Sequence, residues 1–242
     1  MIREELFDKV KGALTGLACG GAVGATLEFE KRGTFEPIKD MVGGGPFRLK
    51  AGEWEDDMSM ALCLANSLVI KRGFDPVDQM NRYCNWYNNG YMSSNGICFD
   101  IGNAVENALT RYLESGDPYS GSADAMSSGN GSIMRLAPIP IFFISNYEDC
   151  IKYAGDSSKT THGSEECIES SKLFSSLIFH AFQTKEKEEI FTKNTYRSHA
   201  KKVRSIASQR ISLAELQSTT GEWVCYRIVG VSTVVLYELI NI

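Results

Sequence analysis

Residues 52–73 read Gly-Glu-Trp-Glu-Asp-Asp-Met-Ser-Met-Ala-Leu-Cys-Leu-Ala-Asn-Ser-Leu-Val-Ile-Lys-Arg-Gly. Met60, Ala61, Leu64, Ala65 and Leu68 recur at three- and four-residue spacings, so Asp57 to Lys71 is expected to form an amphipathic helix. Gly73 follows as a stop signal. Three successive carboxylates, Glu55, Asp56 and Asp57, open the helix. The exposed N–H groups and dipole of a helix start favour acids, and capping alone would account for them. The same side chains are also hard oxygen donors, and acids splayed at a helix start suit Mg²⁺ or Mn²⁺.

The same period extends in both directions. Leu6, Val10, Ala13, Leu14 and Leu17 mark a first amphipathic helix. Asp75-Pro76 pairs an N-cap with proline at the first helical position, and that helix runs through Met80, Tyr83, Cys84 and Tyr87 to Gly90. Further helices are expected over roughly Ile101 to Leu113, ending at Ser115-Gly116, and from about Ser164 to Phe182. There is no alternating series of strands and no internal repeat. The expectation is one all-α domain over residues 1–242. Lys185 to Arg210 reads as a solvated helix or loop. Val231 to Tyr237 is β-branched and strand-like, out of character with the rest.

Composition narrows the partners. The net charge is -5 with no basic run or basic-aromatic stripe, which argues against nucleic acid. The first residues, Met1-Ile2-Arg3-Glu4-Glu5, lack the basic start of a signal peptide. The longest apolar run noted, Leu136 to Ile144, carries two prolines and is too short for a membrane span. Seven cysteines are scattered without a Cys-x-x-Cys pair, as expected of reduced, buried thiols in a cytoplasmic protein.

Four further motifs stand out. Gly20 to Phe29 is a run of small residues that ends at Glu28, an acid at an apolar boundary; a solvated helix end would explain it equally well. Phe99-Asp100-Ile101-Gly102-Asn103 precedes a helix. Ser128 to Ile139 places Gly129, Asn130, Gly131, Ser132 and Met134 in a turn whose N–H groups suit a phosphate, although a plain loop would look the same. Thr160-Thr161-His162-Gly163 puts one of three histidines at a glycine-marked junction. His180 is expected to pack inside a helix and His199 to be solvated.

In this order the motifs resemble those of the ADP-ribosylglycohydrolases, a group that includes the dinitrogenase reductase-activating glycohydrolases. That family's pattern runs Gly-Asp-Ala-Leu-Gly-x-x-x-Glu, Trp-Thr-Asp-Asp-Thr-x-Met, Phe-Asp-Ile-Gly-Asn, Gly-Asn-Gly-x-x-Met-Arg-x-Ala-Pro and Thr-His. The resemblance covers about residues 8 to 225. It implies an all-α fold, a two-ion Mg²⁺ (or Mn²⁺) centre, and cleavage of the N- or O-glycosidic bond joining ADP-ribose to a protein side chain. The partner would be an ADP-ribosylated protein or an ADP-ribose-containing small molecule. By the same resemblance, Asp56, Asp57 and Glu55 stand at the metal and Glu28 and Asp100 are the catalytic carboxylates. Gly129, Asn130, Gly131, Ser132, Met134 and His162 contact ADP-ribose.

The chain also departs from that pattern. Gly21 stands where the family has Asp, Glu55 and Met58 stand where it has Thr, and no Asp-x-Asp-Thr segment follows residue 162. The expectation is therefore a C-terminally truncated member that lacks the last helices and part of its metal centre. Gly221-Glu222-Trp223-Val224 fits the start of a family helix, and a one-base shift of a suitable back-translation of Ser232 to Tyr237 reads Ala-Leu-Trp-Cys-Phe-Met. Residues from about 225 to 242 are thus expected to be a frameshifted tail. Two alternatives stay open: an ADP-ribose-binding remnant without turnover, and a structural, crystallin-like use of the scaffold.

Overall fold

The computed structural model of the chain describes residues 2–31, 33–184, 189–190 and 196–208. The helices among them are α1 (Ile2–Gly24), α2 (Asp56–Lys71), α3 (Pro76–Asn89), α4 (Asn103–Ser115), α5 (Pro138–Phe142), α6 (Tyr147–Lys159), α7 (Glu165–Gln183) and α8 (Lys201–Ser208). Two 3-10 turns, Ala25–Leu27 and Ala125–Ser127, accompany them. Extended pairing among the described residues is confined to two isolated bridges, Gly44 with Leu49 and Ser122 with His162. The fold is all-α, as the periodicity implied. The strand-like Val231 to Tyr237 and the expected frameshifted tail lie outside the described residues.

Local chemistry sets the helix ends. The Asp75 side chain accepts from the Asp78 N–H at the start of α3, and Ser164 accepts from the Cys167 N–H at the start of α7. Gly90 and Gly116 close α3 and α4 in left-handed conformations. At the end of α2 the expected glycine stop is displaced by one residue. Arg72 takes the left-handed conformation (φ 56°), and the Gly73 N–H bonds the Leu68 carbonyl at 3.2 Å.

Sequence reading did not separate out α5 or α6. The prolines of the apolar run obscured α5, yet Pro138 stands at its first turn, where no N–H is needed. The capping signal for α6 was present: Asn146 accepts from the Asp149 N–H.

Helix α2 is central. Leu64 and Leu68 enter a core with Ile133, Leu136, Ile139, Phe174 and Ile178. Met60 and Cys63 enter a second with Met80, Tyr83, Trp86 and Leu109. Met58 and Ala61 meet Leu17 of α1 in a third. A single apolar stripe was expected, but the helix is enclosed on several faces, which holds its acidic start in place. Each fully buried Leu here contributes about 1.5–3 kcal/mol.

Helix α1 corrects one expectation. Glu4–Leu27 is long and apolar enough, by length and composition, to cross a membrane. It is also a core-packing helix, since Ala13 and Leu17 are buried against α2 and its neighbours. The six described cysteines are free thiols, four of them buried; Cys225 lies outside the described residues.

Candidate active site

The start of α2 gathers acids from three separate segments. Glu55 is the extended N-cap residue of α2, with Asp56 and Asp57 in its first turn. Glu28 follows the 3-10 turn that continues α1. Asp100 sits in the loop before α4 with a left-handed backbone (φ 57°). Glu55 and Asp56 are each only 7% exposed, while Glu28, Asp57 and Asp100 are half-buried.

So many acids in little water cannot all ionise. Burial, a carboxyl hydrogen bond with Asp100, and the charges of Asp57, Asp100 and Glu28 push Glu55 up to about 9. Burial and the neighbouring acids raise Asp56 well above the carboxylate range. Burial raises Asp57 to about 6 despite a hydrogen bond from Asp56, and burial also raises Asp100. Glu55 Oε2 is buried without a hydrogen-bond partner.

The small residues of α1 make room for Glu55. A Cβ built on Gly21 would meet Glu55 Cγ at 3.8 Å and Oε1 at 3.9 Å, and one on Gly24 would meet Oε1 at 3.9 Å. The family's Asp position thus faces the very side chain that replaces the family's Thr. Among the described residues, no three His, Cys, Asp or Glu side chains converge as a ready-made metal cage. Phe29 and Phe99, the chain neighbours of Glu28 and Asp100, are linked through Phe47. Phe29 and Phe47 lie 6.3 Å apart, and Phe47 and Phe99 5.4 Å. They come from distant loops, so no periodicity joined them.

The glycine turn and His162 form a second group. The Ile133 and Met134 N–H groups bond the Asn130 carbonyl, which closes the turn. Ser128 hydrogen-bonds Ser164 at 2.8 Å, and the Cys167 thiol donates to the Gly129 carbonyl. The His162 ring lies flush against this turn. A Cβ on Gly131 would stand 2.6 Å from His162 Cε1, so only glycine fits there. Ser132 turns inward, accepts from Ser171 at 3.2 Å and is 1% exposed. Met134 packs against the second core.

Sequence reading gave no role to Arg135, which lies behind the turn and is wholly buried. It donates to the Ser157 carbonyl, Thr160 Oγ1 and Thr161 Oγ1, and its guanidinium lies 4.7 Å from the Tyr83 ring centre. It also contacts Met60 Sδ, one turn beyond Asp56, and the two groups interact electrostatically. Helix α2 therefore forms a wall common to the acids and to the glycine turn. The other two histidines lie elsewhere: the His180 ring packs near Tyr147 and Phe179, and His199 is exposed. A cavity of about 410 Å³ at the end of α4 is lined by Arg111, Glu114, Asp117 and Tyr119 and by none of the expected site residues.

The model of the ADP-ribosylglycohydrolase family matches residues 2–236. The chain belongs to the ADP-ribosylglycohydrolase family. Among its relatives, an ADP-ribosylarginine hydrolase Tri1 of Pseudomonas putida (strain GB-1) is 46% identical over 77% of this chain and 50% of its own length. The namesake of Serratia proteamaculans (strain 568) is 41% identical over 78% of this chain and 51% of its own length. The ADP-ribosyl-[dinitrogen reductase] glycohydrolase of Rhodospirillum rubrum is 32% identical over 67% of this chain and 54% of its own length. The chain spans about half the length of these curated relatives. A solved ADP-ribosylglycohydrolase-related protein complex superposes with a TM-score of 0.70 at 30% identity, covering 98% of this chain and 87% of that one. The family and its all-α fold are thus as the motifs implied.

Proposed function

We propose that this chain removes ADP-ribose from modified protein side chains, arginine foremost, with the help of Mg²⁺ or Mn²⁺. The observation that carries the reading is the acid group at the start of α2, with a buried, unpartnered Glu55 oxygen at its centre. Carboxylates that repel one another out of water are stabilised by a divalent cation, so the donor set fits the group that the family pattern implies. Asp56, Asp57 and Glu55 would hold it. When bound, such an ion polarises ribose hydroxyls and lowers the pKa of water. The arginine preference is supported by the names of the two relatives that are more than 40% identical.

Hydrolysis then needs little from the protein beyond positioning and proton handling. The oxygen of water bonds to the anomeric carbon of the ribose, the C–N or C–O bond to the side chain breaks, and the side chain leaves with a proton. Glu28 takes a proton from water and returns it to the departing nitrogen or oxygen, while Asp100 accepts hydrogen bonds from the ribose hydroxyls. Gly129, Asn130, Gly131 and His162 line the diphosphate and ribose, with Ser132 and Met134 supporting the turn from inside. The free thiols support a cytoplasmic setting.

A second reading, ADP-ribose recognition without turnover, is supported by Gly21, Glu55 and Met58 standing where the family pattern has Asp, Thr and Thr. Calorimetric titration of Mg²⁺ or Mn²⁺, with and without ADP-ribose, separates the two. Binding of two ions followed by release of ADP-ribose from ADP-ribosylated arginine supports the hydrolase. ADP-ribose binding with neither metal binding nor release supports recognition alone, and failure to bind ADP-ribose overturns both.

A further inference from the structure

His162 is held so closely that its hydrogens can be placed by elimination. Its backbone N–H bonds the Ser158 carbonyl at 2.7 Å, and its own carbonyl accepts from Ser158 Oγ. The Gly163 N–H bonds the Ser122 carbonyl, and the ring rests on Gly129 and Gly131. Nδ1 lies 2.9 Å from Thr161 Oγ1, and Thr161 Oγ1 lies 2.7 Å from Arg135 Nη2.

A guanidinium nitrogen can only donate, so Arg135 takes up one lone pair of the Thr161 hydroxyl. That hydroxyl has one proton to give. It is 1% exposed, and its one acceptor among the described residues is His162 Nδ1. Turning the proton away would bury an unsatisfied donor, which is costly. The charged Arg135 also polarises the hydroxyl and makes it a stronger donor. Nδ1 is therefore the acceptor, and the ring of a neutral imidazole then carries its single hydrogen on Nε2. No hydrogen bond is made by Nε2 among the described residues, and a Cβ on Gly129 would lie 3.4 Å from it, so that N–H faces the glycine turn. Burial and the Arg135 charge hold His162 neutral, pushing it down to about 3.

We propose that Arg135 is a positioning residue that acts through Thr161 to lock His162 in its Nε2–H form, presenting one fixed N–H donor to an acceptor oxygen of the ligand in the Gly129–Gly131 turn. Identifying that oxygen as one of ADP-ribose rests on the function proposed above; the lock itself does not. A preset donor binds an anionic or hydroxylated ligand without first having to choose a tautomer.

Ring ¹⁵N–¹H correlation spectra of the folded chain test this, with His162→Gln assigning the signal among only three histidines. Wild type is expected to show a protonated Nε2 and a bare Nδ1 at neutral pH. Thr161→Val, close in shape but without the hydroxyl, is expected to mix or reverse the tautomers and to weaken ADP-ribose roughly tenfold. Thr161→Ser is expected to restore both. A protonated Nδ1 in wild type, or an unchanged tautomer in a folded Thr161→Val chain, overturns the lock. Absence of ADP-ribose binding in wild type with the Nε2–H form intact leaves the lock standing and removes the ADP-ribose reading.

Discussion

The most direct perturbation of the glycine-turn side of the site is acid, and His162→Gln isolates its effect. In the folded chain His162 is pushed from its usual 6.5 down to about 3, first by burial and then by Arg135. A depressed folded pKa means that the unfolded chain binds the extra proton first. The stability tied to His162 is therefore complete above about 6.5 and is lost as pH falls toward about 3. At pH 5 the unfolded chain has gained about 1.5 pH units of protonation that the folded chain refuses, worth about 2 kcal/mol. At this chain length that is a Tm change of about 4–8 °C. Glutamine cannot take the proton, so the variant escapes this part of the acid loss, whatever stability it gives up at pH 7. The assay is the Tm of both proteins at pH 7 and pH 5, followed by circular dichroism. Every other titrating group is common to both and cancels in the difference. Equal losses in wild type and variant would refute the argument, since His162 would then be protonated in the fold and could not be the buried neutral ring described here.

Three further outcomes follow from the same geometry. Gly131→Ala puts a methyl 2.6 Å from His162 Cε1 and 3.3 Å from Val105 Cγ2. It should cost about 1–3 kcal/mol in thermal denaturation and weaken ADP-ribose binding; an unchanged protein would mean that the ring does not lie on the turn. Glu55→Gln should stabilise the chain in chelator at pH 7.5, because the rise to about 9 makes the folded state resist an ionisation that the unfolded chain undergoes above about 4.5. After allowance for screening the gain is about 1–3 kcal/mol. It should vanish at pH 4, and a less stable variant at pH 7.5 would contradict the crowded-acid picture. Glu169 accepts from Tyr196, Ser198, the His199 N–H and Lys172. Glu169→Ala should therefore cost about 3 kcal/mol in urea and speed tryptic cleavage near Lys201, whereas an unaltered urea midpoint would show those bonds to be dispensable.

The sequence by itself determined α1 to α4 and α7, because apolar spacing and capping residues act within one or two turns. Asp75-Pro76 and Ser164 start their helices as read, and Gly90 and Gly116 end theirs. It also marked Glu28, Asp56, Asp57, Asp100, the glycine turn and His162, each inside a contiguous motif. Glu55 was legible too, as a carboxylate where the family pattern has Thr. Tertiary structure alone decided what those residues meet. That Glu55 points at Gly21 and Gly24, and shares a hydrogen bond with Asp100, depends on α1, α2 and the loop before α4 packing together. Arg135 stands inside the glycine-turn motif, but nothing in the sequence assigned it a role. Only the packing of α3, α6 and the glycine turn around it buries its charge and turns it toward Thr161. Local chemistry is written along the chain, whereas desolvation and hydrogen-bond partnership depend on which distant segments exclude water together.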